Sequence, residues 1–379
     1  MRKISFFDDR RGRTDYVFIV LVLLITLYGT LMVFSAGTAY AEARYQDKFF
    51  FVKRQTIWTV VGLLAMYFSS KISARYYRKY TLHFYVATLI LLVLVLAVGL
   101  VGNGAQRWIS LGPITIQPSE IAKLSMIMML SLYFAKNEER ATDRKNQANI
   151  LIYGTLIPCS IMLIPIILVM LQRHLSCIII LGTIGLLMIF ISGVNPKYIY
   201  AFCIIAAIGV CALALFTDYT KERITVWRDP EAYKLTGGWQ TLQGLMAIGS
   251  GGIFGVGYGN SMLKHCYVSE PANDMIFSIL CEELGIVGAA IALILFTLLV
   301  GRSCYIALRC NDSYARLLAF GISIKLSVQT LLNIAVVTNT IPNTGISLPF
   351  FSYGGSSLIM LFFEMGIILS IAREARISK

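Results

Sequence analysis

Residues 273–300 read NDMIFSILCEELGIVGAAIALILFTLLV, an aspartate followed by a long apolar run whose only charges are Glu282 and Glu283. A helix rises about 1.5 Å per residue, so roughly 20 apolar residues cross the hydrocarbon core of a bilayer. The run predicts a spanning helix over 274–301, with Asp274 where the span meets water. Ahead of it lies 217–273, a long polar stretch punctuated by the glycines of GSGGIFGVGYGN at 249–260. A carboxylate at that boundary can meet a substrate whose tail lies in lipid and whose head lies in water.

Comparable apolar runs lie near 16–35, 55–70, 81–100, 119–135, 149–171, 177–193, 198–216, 317–337 and 354–372. With 57% hydrophobic and only 14% charged residues over 379 positions, the chain cannot be an ordinary soluble protein. It reads as one all-α polytopic membrane domain, 1–379, of about ten transmembrane helices. The basic N-terminus lacks a small-residue cleavage site after a short apolar core, so the first run is expected to be a retained span.

Placing the N-terminus inside puts twenty of the 33 Lys and Arg on cytoplasmic segments and eleven on outer loops. That bias favours both termini in the cytoplasm and makes 217–273 a large extracytoplasmic loop between helices 7 and 8. Arg44, Lys48, Lys53 and Arg54 run against the count, since they fall on the first outer loop. The net charge of +13 is then mainly an orientation signal with some attraction to anionic lipid heads, and does not argue for nucleic acid. Only Cys266 of the eight cysteines falls in the large loop, so neither a disulfide framework nor a CxxC metal site is indicated.

Elaboration concentrates on one face, in 101–118, 217–273 and 338–353. Pro342, Gly345, Pro349, Gly354 and Gly355 forbid a regular helix through the third of these. Non-helical backbone at membrane depth persists only against protein or a wet cavity, so this segment is expected to line a cavity. The glycines of 249–260 form neither a GxGxxG nor a Walker motif, and they suit tight turns or close backbone approach instead. No HExxH or GxSxG pattern is present.

Charges within the spans are the remaining candidates. Glu120 and Lys123, three apart, share a helical face and can neutralise each other. Glu282 and Glu283 need an interior partner, for which Lys325 is a candidate. Asp274 suits a helix N-cap, but an N-cap carboxylate can also serve as a general base.

The strings NGAQRWISLG (103–112), IQPSEIAKL (116–124), AIGSGGIFGVGYGNS (247–261), NDMIFSILCEELG (273–285) and NTGISLPFFSYGGSS (343–357) occur in this order over nearly the whole chain. Together they resemble the SEDS family of bacterial cell-wall polymerases, which includes FtsW, RodA and SpoVE. PNTGISLPF at 342–350 looks closer to the division and sporulation members. The resemblance implies a multi-pass protein of the bacterial cytoplasmic membrane that polymerises lipid II into glycan strands at the outer face. It assigns the essential carboxylate to Asp274. It also implies a divalent cation, magnesium or manganese, with ligands unassigned. The implied partners are lipid II and the nascent strand, a class B penicillin-binding transpeptidase, division or elongation proteins, and membrane lipids.

Two stretches depart from the family pattern. QRHLSC at 172–177 stands where many members read QPDLGT, so His174 replaces an acid. The residues before Asp274 are Glu270, Pro271, Ala272 and Asn273, without the family's histidine. Asp274 is expected to take the proton from the acceptor hydroxyl, its pKa raised at the half-buried membrane edge. Arg107, Arg223 and Lys264 are candidates to stabilise the leaving diphosphate. Trp108, Glu270, Ser352 and Ser356 are further candidates for substrate contact. Two other readings suit the same pattern: a flippase moving lipid II across the bilayer, and a non-enzymatic division scaffold.

Overall fold

A computed structural model describes residues 14–102, 105–111, 114–143, 146–198, 200, 218–265 and 271–375. The described chain is mostly helical. Six helices are long and apolar enough to cross a membrane: α1 (Tyr16–Tyr45), α3 (Ala74–Val98), α5 (Gln147–Leu171), α9 (Ile276–Leu308), α10 (Ser313–Val337) and α11 (Gly355–Ala375). Phe50–Lys71 (α2), Pro118–Thr142 (α4) and Leu175–Ile191 (α6) complete the long elements among the described residues, and most of the expected 198–216 span lies outside them.

Helix boundaries follow local chemistry. Asp15 caps α1 by accepting from the amide of Phe18, and Asp312 caps α10 by accepting from that of Ala315. Pro118 opens α4, where its missing N–H costs no helical bond. Phe18, Val22 and Ile25 on α1 are fully buried, whereas Leu23, Leu27 and Leu31 are exposed. That outward apolar face suits lipid.

Helices α2 and α11 pack side by side in the same direction. Trp58 lies against Gly355, Gly62 against Phe362, and the Ser69 hydroxyl donates to the Phe363 carbonyl. This pairing carries the chain from 343–354 down alongside the start of α2, which positions Arg54 and Trp58 beside the site.

Two polar segments expected as loops contain regular structure. Leu100–Gly102 (β1), Ala105–Leu111 (β2) and Ile114–Ile116 (β3) form a small antiparallel sheet with β2 central. The large segment before Asp274 contains α7 (Asp218–Arg228) and α8 (Trp239–Gly251).

Helix α9 is interrupted at Gly285, whose φ is +64°. The carbonyls of Glu282 and Glu283 accept from Val256 and Gly257, and the amides of Ile286 and Val287 donate to Gly252 and Ile253. The glycine-rich loop thus takes up the backbone groups that the break releases. Gly255 is required there: its φ is +78°, and a Cβ would meet the Glu283 carbonyl oxygen at 2.2 Å.

Candidate active site

Asp274 lies in a turn just before α9, not at its cap. The cap position is Met275, so Asp274 stands one residue ahead of the N-cap place that the sequence allowed for it. Its carboxylate is half-buried on the wall of a cavity of about 490 Å³. The other ionisable groups on that wall are Arg54, Arg107, Glu120, Lys123 and His174, together with Cys177 and Tyr353.

The segment 343–354 is laced to the turn that bears Asp274. Tyr353 donates its amide to the Ala272 carbonyl, and the Ser352 hydroxyl donates to that of Asn273. Ser352 in turn accepts from the amide of Leu348. The fully buried Asn333 on α10 bridges the two strands of backbone, its Nδ2 donating to the carbonyls of Asp274 at 3.0 Å and Ile346 at 2.6 Å. Gly345, at φ +70°, closes directly on the carboxylate.

Below Asp274 lies a layer of buried ion pairs. Lys123 Nζ is 2.6 Å from Glu120 and also donates to Gln329, whose amide donates to the Ser347 carbonyl. Lys325 does not pair with Glu282 or Glu283 as expected. It pairs with Glu364 on α11, at 2.5 Å. The break at Gly285 redirects the acidic pair: Glu283 binds Lys264 at 2.9 Å and the Ser35 hydroxyl at 2.6 Å, while Glu282 accepts from Ser261 and the amides of Met262 and Leu263.

The candidates named from sequence therefore separate. Asp274, Arg107, Trp108, Glu120 and Lys123 share the cavity wall. Lys264 is buried against Glu283 and pins the glycine loop, away from that wall. Arg223 donates to the Asn343 carbonyl and so braces the 343–354 segment from outside. Ser352 serves the backbone lacing. Ser356 is half-buried in the first turn of α11, and it is Ser357 that lines the cavity. Glu270 lies outside the described residues.

Sequence reasoning did not select Arg54, Trp58 or Gln329. For Arg54 a signal existed, since it belongs to the outer-loop cations that oppose the orientation count. In the sequence His174 stands out only as a departure from the family pattern. It is buried on the cavity wall with Nδ1 3.4 Å from the Ser119 hydroxyl. Burial, reinforced by Arg107 and Lys123, pushes its pKa down to about 3, so the imidazole is neutral near pH 7.

A divalent cation has no ready cage here. Among the described residues no three His, Cys, Asp or Glu side chains converge to hold one. Of the two cavity carboxylates, Glu120 is engaged by Lys123, and His174 turns a ring nitrogen toward Ser119. The donor set does not fit a protein-built metal site.

The FtsW/RodA/SpoVE cell cycle protein family model matches residues 15–377. The chain is 36% identical over 369 residues to "Stage V sporulation protein E" of Bacillus subtilis, covering 97% of this chain and 99% of that protein. It is 34% identical over 365 residues to "Probable peptidoglycan glycosyltransferase FtsW" of a Geobacter species, covering 96% and 97%. Among solved structures it is similar to a chain of a peptidoglycan synthase complex that coordinates polymerization and crosslinking, with a TM-score of 0.79, 28% identity and coverage of 96% and 98%. The crystal structure of Thermus thermophilus RodA gives a TM-score of 0.69 at 28% identity, covering 95% and 97%. Motif order, helical architecture and near-complete coverage agree: the chain belongs to the FtsW/RodA/SpoVE family of multi-pass membrane proteins.

Proposed function

We propose that this protein is a peptidoglycan glycosyltransferase that polymerises lipid II at the outer face of the bacterial cytoplasmic membrane, in division or sporulation. The observation that carries this reading is the half-buried Asp274 carboxylate on the wall of a 490 Å³ cavity that also presents Arg54, Arg107 and Lys123. Such a site offers a base beside a cationic surface, which is what transfer from a lipid diphosphate requires.

Asp274 accepts the proton of the GlcNAc 4-hydroxyl of the acceptor as its oxygen attacks MurNAc C1 of the donor. The new C1–O4 bond forms as the bond from C1 to the diphosphate oxygen breaks, and the electron pair leaves with the diphosphate. Attack opposite the leaving group inverts the α-linked diphosphate to a β-1,4 bond. General base assistance of this kind contributes roughly 10²–10⁴ in rate. Backbone lacing through Asn333 and Ser352 holds the carboxylate in place during the step.

Ten spans with both termini inside remain the preferred topology. The six apolar helices, together with α2, α4, α6 and the 198–216 run, supply them. This topology puts the 217–273 segment on the extracytoplasmic side. A class B penicillin-binding transpeptidase is the proposed partner, since one structural relative belongs to a complex that joins polymerization to crosslinking.

Purified full-length protein mixed with labelled lipid II in detergent tests the reading against translocation. Glycan strands without any vesicle or gradient support the polymerase; complete absence of polymer, with and without the transpeptidase, rejects it.

A further inference from the structure

The cavity's charges do not cancel in place. Lys123 is neutralised by Glu120 at 2.6 Å, and His174 is neutral, which leaves Arg54 and Arg107 as cations without a carboxylate partner among the described residues. Arg107 sits on β2, the central strand of the sheet, and its Nη2 donates to the Arg173 carbonyl at 2.5 Å. That bond fixes the guanidinium while Nε remains buried with no hydrogen-bond partner among the described residues. A buried donor left unmade is unfavourable, so a native wall that keeps one is shaped for a bound acceptor.

Arg54 lies one turn into α2 with its guanidinium 4.2 Å from the centroid of the Phe50 ring. One turn further, Trp58 is held against Gly355 and lines the same cavity. Two guanidinium groups on different elements, facing one space, suit an anion with several oxygens, because each presents paired N–H donors to phosphate. An ammonium or a single backbone amide would not supply that fork.

We propose that Arg54 and Arg107 form the diphosphate subsite of this cavity and bind that anion without a protein-held divalent cation. This rests on the reading of Asp274 as base. A cation seated on Asp274 would make that carboxylate a weaker base for the proton it must receive, and Glu120, the other cavity carboxylate, is paired with Lys123. The arginines therefore supply the countercharge to the diphosphate.

Binding of undecaprenyl diphosphate to the detergent-purified full chain tests this, measured with and without EDTA. The expected result is binding unchanged by EDTA and weakened roughly 10-fold or more by Arg54→Gln or Arg107→Gln, the range for a lost charge-assisted hydrogen bond. Arg107→Lys should recover part of the loss. Arg54 makes no other polar contact among the described residues, so its variant is expected to fold normally. Loss of binding in EDTA, or wild-type binding by both Gln variants, overturns the proposal. The arm with Asp274→Asn separates the two readings: with one negative charge fewer on the wall it should bind the diphosphate lipid at least as tightly as the wild type, and if it also polymerises lipid II the base assignment falls while the subsite stands.

Discussion

Gly345 lies so close to Asp274 that a Cβ in its place would sit 2.9 Å from Oδ2 of the carboxylate. With φ at +70°, the position also disfavours any L side chain by roughly 1–2 kcal/mol. Gly345→Ala should therefore displace Asp274 while the bundle stays intact. A shift of about 1 Å at a reacting group can cost near 10²-fold in rate. Polymerisation should fall on that scale, with the melting temperature lowered only slightly. Near-normal activity in the alanine variant would show that this contact does not position the carboxylate.

Asn333 holds the same turn from the opposite side. Its amide satisfies the part-buried carbonyl of Asp274 and the buried one of Ile346, so Asn333→Leu should cost roughly 1–3 kcal/mol, mainly from the buried group. Thermal unfolding in detergent reads the stability loss, and kcat should fall more than KM rises. An unchanged melting temperature would contradict the bridge.

The buried Lys264–Glu283 pair is predicted to be structural. Lys264→Ala alone strands a buried carboxylate and should destabilise by roughly 3–5 kcal/mol, whereas Lys264→Met combined with Glu283→Leu should recover much of that. Yield and melting temperature of single and double variants check it. A single variant that folds normally yet loses polymerisation would return Lys264 to the catalytic set.

These contacts show what the sequence could and could not reveal. Apolar runs of spanning length made the long helices legible, and Asp274, Arg107, Trp108, Glu120 and Lys123, named from residue type and from the family resemblance, line one cavity. Partners across the bundle were not legible. Lys264 looked like a substrate contact because it stands near Asp274 in sequence, but the break at Gly285 folds the glycine loop back and seats it on Glu283. Lys325 found Glu364, on a helix whose rotation no periodicity specified. The small sheet of 100–102, 105–111 and 114–116 was not legible, because its strands are short and the first continues the apolar run that ends at 100.

His174 should make stability sensitive to acid. Its folded pKa is pushed down from 6.5 to about 3, so between those values the unfolded chain binds the extra proton more readily. At pH 7 the unfolded imidazole is mostly neutral as well, so keeping it deprotonated costs little there, and stability falls as pH drops below about 6.5, by up to roughly 1.4 kcal/mol per unit. Melting temperatures from pH 7 to pH 4.5 should fall less steeply for His174→Gln than for the wild type. Parallel curves would remove His174 as a source of the acid sensitivity.

The central claim is that Asp274 is the base of glycosyl transfer. Its most direct measurement is polymerisation of labelled lipid II by purified, full-length Asp274→Asn beside the wild type, both verified as folded by thermal unfolding. The account predicts glycan strands from the wild type and a loss of at least about 10²-fold in the variant. Strands of wild-type length and yield from Asp274→Asn would contradict it.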